Sequence, residues 1–108
     1  LAPVQARVLT ITDRCIPAAQ SVLERLREAG IRAEADMRNE KVNLKIREAQ
    51  LEKIPYMVIL GDREAEAGTV ALRHRRAGDL GVFDLDDVLD RLGTEIEARK
   101  NWEEVMTN

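Results

Sequence analysis

"KIPYMVILGDRE", residues 53–64, decides how the rest of the chain is read. Its middle, Tyr56 to Leu60, is five apolar residues with no alternation. A strand with one wet face alternates, whereas an unbroken apolar run suits a strand covered on both faces of a layered sheet. Ile54-Pro55 ends whatever precedes it, because the residue before proline avoids the α region. Beyond the run, "GDREAEAG" has a glycine at each end and reads as a polar connector.

Moving towards the amino end, Val42, Ile46, Ala49 and Lys53 fall on one helical face. Lys41, Lys45, Glu48 and Glu52 fall on another, so a helix is expected from about Lys41. Before it, "IRAEAD" (31–36) alternates, with Ile31, Ala33 and Ala35 on one side. "VQARVLTIT" (4–12) alternates and then runs apolar. Between these strands Ala19, Val22, Leu23, Leu26 and Ala29 repeat at helical spacing, with Pro17 in the first turn and Gly30 as the stop. This strand–helix–strand unit favours parallel pairing through a right-handed crossover.

Towards the carboxyl end, "TVALRHR" (69–75) alternates and "LGVFDL" supplies a last edge strand. Asp84 or Asp86 is placed to cap a final helix carrying Leu85, Val88, Leu89, Leu92 and Ile96. Residues 101–108, with Trp102, read as a fraying tail. The order is β-α-β-α-β-β-β-α. It implies an α/β fold with a mixed, mostly parallel five-stranded sheet flanked by three helices. All of 1–108 forms one domain, with Leu1-Ala2-Pro3 as the end of a linker. A first residue of Leu rather than Met suggests a fragment of a longer chain.

The net charge is -3, which argues against a sequence-blind polyanion binder. The charge is uneven, however. Asp84 to Glu104 carries eight acids against Arg91, Arg99 and Lys100, leaving the remainder slightly positive. The single Cys15 excludes an internal disulfide and fits a reducing compartment, hence a cytoplasmic location. No run approaches the length of a membrane span, so no membrane partner is expected.

No glycine fingerprint follows the first strand, and no Gly-Lys-Ser/Thr loop is present. One cysteine and one histidine do not supply a metal site. Cys15 reads as a bystander thiol and His74 as a packed residue. Binding is better represented. Arg38-Asn39-Glu40, Gly61-Asp62-Arg63-Glu64 and Arg73-His74-Arg75-Arg76 sit at strand ends or continue along an edge. Loops beyond the carboxyl ends of parallel strands are where ligands dock. A glutamate accepts from both N–H groups on the Watson–Crick edge of guanine, an asparagine amide donates and accepts, and an arginine forks onto carbonyl or phosphate oxygens. Tyr56, Phe83 and Trp102 are too few and scattered for a stacking platform. Composition alone leaves a nucleic-acid surface and an ordinary solvated surface both open.

Taken in order, "LAPVQ", "ADMRNEKVNLKIREAQ", "KIPYMVILGDREAEAGTVALRHRR" and "DLGVFDLDDVLDRL" resemble the C-terminal anticodon-binding domain of threonyl-tRNA synthetase, of the class II family. The likeness covers nearly the whole chain. A looser pattern, Asp36, Lys45, Ile54-Pro55 and Gly61, is similar to the prolyl, histidyl and glycyl enzymes as well. The resemblance implies that the domain grips the anticodon loop of threonine tRNA. It implies base-reading positions at Asn39, Glu64 and Arg73, with Lys53, often Arg in the family, also facing the loop. Arg38, Lys41, Lys45, Arg75 and Arg76 are further RNA contacts to test. Lys45 is also placed to pair with Glu48, and Lys41 and Lys45 at i,i+4 repel unless an anion lies nearby.

The resemblance further implies no catalysis by this piece. ATP and zinc belong to an upstream catalytic domain, the fragment is expected to be a monomer, and the parent a homodimer. Competing readings are the matching domain of a prolyl, histidyl or glycyl enzyme, a stand-alone regulatory paralogue, an interaction domain dimerising through the acidic last helix, and a small α/β nucleotide-binding domain.

Overall fold

The computed structural model describes residues 4–107, with side chains to residue 98. The expected linker at 1–3 and the side chain of Trp102 lie outside the described residues. The strands are β1 (Ala6–Thr10), β2 (Ala33–Asp36), β3 (Tyr56–Leu60), β4 (Thr69–His74) and β5 (Gly78–Asp84). The helices are α1 (Ile16–Glu28), α2 (Val42–Leu51), α3 (Asp62–Ala67) and α4 (Leu85–Thr107), with a single 3-10 turn at Asp13–Cys15. The sheet order is β2-β1-β3-β4-β5. β1 pairs parallel with β2 and β3, and β3-β4 and β4-β5 are antiparallel. Four of the five strands therefore run the same way, as expected from the sequence.

Tyr56–Leu60 is buried throughout, which is why its apolar residues do not alternate. One face of the sheet packs under α1 and α4: Ala19, Val22 and Leu26 of α1 and Val88 and Leu92 of α4 meet Val8, Val58, Leu60, Val70 and Leu72. The other face meets α2, where Ala49, Val42 and Ile46 cover Leu9, Met57 and Ile59. Each fully buried Val, Leu or Met among them contributes about 1.5–3 kcal/mol.

Three readings change. The polar connector at 61–68 holds a six-residue helix, α3, none of whose residues is buried. With no apolar face, it carried no periodic signal. The final helix starts directly after Asp84 and runs to Thr107, so residues 101–107 are helical rather than a frayed tail. No proline or glycine after Gly93 stops it. Lys45, expected on a charged face, is 1 % exposed. Its Nζ donates to the Thr10 carbonyl (2.8 Å) and hydroxyl (3.1 Å), not to Glu48, and it does not reach an external phosphate.

The Lys45 stem fills core space while its tip holds the end of β1. Lys45→Ala is therefore expected to cost about 2–4 kcal/mol, from a cavity plus an unpaired carbonyl. Lys45→Met, which keeps the volume, is expected to cost less than half of that. Urea unfolding of the two variants beside the parent measures both.

Candidate nucleic-acid interface

The connections after β1 and β3 leave in opposite directions: β1 returns through α1 to β2, and β3 continues through α3 to β4. In an open α/β sheet the crevice between two such strands is where ligands bind. Three connections meet there. Across the carboxyl edge they follow the strand order: the 37–41 loop after β2, Ile11 after β1, and Gly61 with α3 after β3.

Asp36 closes β2 and sets the first loop. Arg38 donates to it twice, Nε to Oδ1 (2.8 Å) and Nη2 to Oδ2 (2.8 Å), and the Arg38 backbone N–H adds a third bond at 3.3 Å. The same Nη2 also donates to Glu48 Oε2 at 2.8 Å. Arg38 is therefore engaged in holding the loop on α2, which argues against its use as a phosphate contact. Its guanidinium beside Asp36 holds that carboxyl below the usual aspartate range, against the opposing effect of burial. Asn39, Glu40 and Lys41 stand exposed beyond this clamp. Among the described residues, nothing bonds the Asn39 amide.

Asp62 plays the matching part for α3. It accepts from Thr12 Oγ1 (3.0 Å), Arg14 Nη2 (2.7 Å) and Cys15 Sγ (3.6 Å), which ties α3 to the turn after β1. These bonds, Thr12 first, lower the Asp62 carboxyl below its ordinary value. Cys15 is buried beneath them, as a bystander thiol would be. Two residues on, Glu64 is half-buried, and no described side chain donates to its carboxylate.

Arg73 lies on the α2 side of β4, opposite Met57 of β3 and Asp79 of β5. No described helix covers β4 and β5 on this side, and Val82, paired with Ala71, is 63 % exposed. Arg73 Nε is buried with no hydrogen-bond partner.

The other expected contacts sit elsewhere. Lys53 stands before β3, and Arg75 and Arg76 follow β4, so all three are at the amino edge, across the sheet from Asn39 and Glu64. Arg75 and Arg76 line a cleft of about 320 Å³ with Gln5, Tyr56, His74 and Glu95. Tyr56 donates to Glu95 at 2.6 Å. His74 meets the Tyr56 ring edge-on at 4.9 Å, and its Nδ1 accepts the Arg76 and Ala77 N–H groups. It is the packed histidine the sequence suggested.

Lys53 has φ 62°, the one positive value outside glycine among the described residues. It closes α2 as Gly30, at φ 83°, closes α1. In each case the left-handed residue bonds back to the third residue before it (Lys53 N to Gln50 O, Gly30 N to Arg27 O). The next residue bonds back five positions (Ile54 N to Ala49 O, Ile31 N to Leu26 O). Lysine there costs about 1 kcal/mol that glycine avoids.

Residues 5–95 match the family model described as the anticodon binding domain. The chain belongs to that family. It is 55 % identical over 104 residues to a threonine–tRNA ligase of Halorhodospira halophila, covering 96 % of this chain and 16 % of the relative. A threonine–tRNA ligase of Syntrophomonas wolfei is 56 % identical over 99 residues, covering 92 % of this chain and 16 % of that protein. The chain thus spans about a sixth of the length of these relatives. The RNA-binding domain of threonyl-tRNA synthetase from Cryptosporidium parvum Iowa II superposes with TM-score 0.81 at 32 % identity, over 86 % of this chain and 24 % of that one. Histidyl-tRNA synthetase from Nostoc has the same TM-score at 23 % identity, over 88 % and 23 % of the two chains, a likeness of fold alone. The expected anticodon-binding architecture is borne out.

Signals for Asn39, Glu64 and Arg73 were in the sequence. The role of Asp62 was missed, because it looked like any acid in a polar run.

Two outcomes follow from this geometry. Lys53→Gly is expected to raise stability by about 0.5–1 kcal/mol in urea unfolding while weakening RNA binding, separating backbone strain from charge. The depressed Asp36 carboxyl contributes stability that is present above about pH 4, the unfolded aspartate value, and lost as pH falls below it. Melting curves from pH 7 to pH 3 are expected to show this loss, and Arg38→Ala is expected to flatten it.

Proposed function

We propose that this domain reads the anticodon of threonine tRNA within a threonine–tRNA ligase whose catalytic domain lies upstream. The observation that carries the reading is a contrast among polar side chains. Arg7, Arg38, Lys45 and Asp62 bond internally. Asn39 and Glu64 at the crevice, and Arg73 on the open face, have no partner for the groups that would face a base. Glu64 accepts two N–H groups from guanine, Asn39 reads a neighbouring base, and Arg73 donates to a carbonyl or phosphate oxygen. Lys53, and then Lys41, Arg75 and Arg76, supply charge along the loop's backbone.

Identity favours the threonyl branch over its class II cousins. It is 46–56 % to threonine–tRNA ligases and 32 % to the threonyl-tRNA synthetase structure, against 21–23 % to the two histidyl structures. No helix among the described residues is long and apolar enough to cross a membrane. On this reading the piece binds and does not catalyse, and the ligase works in the cytoplasm.

Titration with a threonine anticodon stem-loop, beside one with its guanine or uracil changed, tests the reading. The native loop is expected to bind more tightly, and equal binding to both would sink the base-reading role. Glu64→Gln replaces an acceptor with a donor against guanine and is expected to weaken binding by about 1–3 kcal/mol. Arg73→Lys keeps the charge but removes the planar fork. It is expected to weaken binding even at low salt, where a loss of charge alone would be most visible.

A further inference from the structure

We propose that the kink in β5 at Leu80-Gly81 keeps Arg73 available to RNA, with Asp79 and Gly81 as positioning residues. The inference rests on the tRNA reading above, in which Arg73 donates to a carbonyl or phosphate oxygen. Along β4 and β5 the ladder pairs Val70 with Phe83, Ala71 with Val82 and Leu72 with Gly81, and then Arg73 with Asp79. A regular antiparallel ladder would set Arg73 against Leu80. β5 therefore holds one residue more than β4 at this point, a bulge of the kind that re-aims side chains.

The extra residue changes the side that Leu80 takes. Successive side chains of a strand point to opposite faces, so a regular β5 would put Leu80 on the same face as Val82. Val82 pairs with Ala71 on the α2 side, which is the side of Arg73. Leu80 instead packs, like Phe83, against the core cluster that contains Leu72 under α1 and α4. The bulge thus takes a branched apolar side chain off the floor beside Arg73, where small Ala71 and exposed Val82 remain. Gly81 makes this possible with φ 106°, a value that side chains rarely tolerate. A β-carbon at Gly81 would meet nothing within 4 Å, so backbone conformation rather than crowding demands glycine there.

The same kink engages the acid that faces Arg73. Asp79 Oδ1 accepts the Gly81 N–H at 2.9 Å. Among the described residues no ion pair joins Asp79 to Arg73, although the two are opposite each other on the ladder. A carboxylate free to swing across would bond the guanidinium and compete with an RNA oxygen for it. One local turn therefore clears the floor beside Arg73 and holds the opposing acid on its own backbone.

The test is titration of this chain with the threonine anticodon stem-loop, with and without Arg73→Ala in the background. Gly81→Ala is expected to weaken binding by about 5- to 30-fold. In the Arg73→Ala background the same substitution is expected to change affinity by less than about 2-fold, whereas general loosening of the fold would weaken binding in both backgrounds. Asp79→Asn and Asp79→Ala remove the same charge, but only asparagine keeps an oxygen for the Gly81 N–H. The asparagine variant is expected to bind at least as tightly as the parent, and the alanine variant several-fold less tightly than the asparagine one. That pair is compared at equal charge and holds even if Gly81→Ala folds poorly.

Parent-like affinity in Gly81→Ala would overturn the inference and leave the tRNA reading intact. So would a Gly81→Ala deficit that persists undiminished without Arg73, or equal affinity of the two Asp79 variants. If Arg73→Ala alone binds as tightly as the parent, the Arg73 role in the tRNA reading falls, and the inference falls with it.

Discussion

Two basic side chains fasten α2 to β1, and the positions of the candidate site residues depend on that attachment. Arg7 lies on β1 with its guanidinium almost fully buried. It makes a two-pronged bond to Glu52, at 2.8 and 2.9 Å, and a third bond to Glu34 at 3.2 Å. Glu52 above all, with Glu34, holds Arg7 above the ordinary arginine value despite its burial. Lys45, in the first turns of α2, reaches over the other end of β1 to Thr10. The helix is thereby held near both ends. Because the carboxylate partners of Arg7 are roughly half-exposed, solvent screens that clamp, and its contribution lies more in geometry than in stability.

That geometry reaches the site through the two ends of α2. At its start, Lys41 and the loop back to Asp36 are held in place, and Arg38 closes the loop by bridging Asp36 and Glu48. Asn39 is presented at the tip of a loop in which Asp36 and Arg38 are already occupied by each other and by Glu48. At its end, the left-handed residue is Lys53, where glycine would be less strained. A charge is thus kept at a backbone position that disfavours any side chain, which is the kind of strain that collects at binding sites.

Much of the architecture was legible along the chain. Proline and glycine marked the ends of α1 and α2, and the unbroken run at Tyr56–Leu60 marked the buried strand beneath both helical layers. Where legibility failed, the reason was a missing apolar signal. α3 buries none of its residues, so neither period showed in "DREAEA". The continuation of α4 past residue 100 rests on the absence of breakers, a weaker indication than an amphipathic stripe. For the site, residue chemistry and the resemblance together picked out Asn39, Glu64 and Arg73. They kept Arg38 and Lys45 as further contacts to test, and these two prove to be internal fasteners.

The sequence by itself determined every element except α3, their order and the residue types able to face a base, because hydrophobic period and turn chemistry are local properties. Only the tertiary structure decided which charged groups remain available. Arg7 finds Glu52 45 positions away and Lys45 finds Thr10 35 positions away, and no local pattern encodes such pairings. The same holds for Ile11. As a residue in a row it is one more apolar side chain after a strand. Only in the fold does it stand half-exposed beside Gly61 at the end of β3.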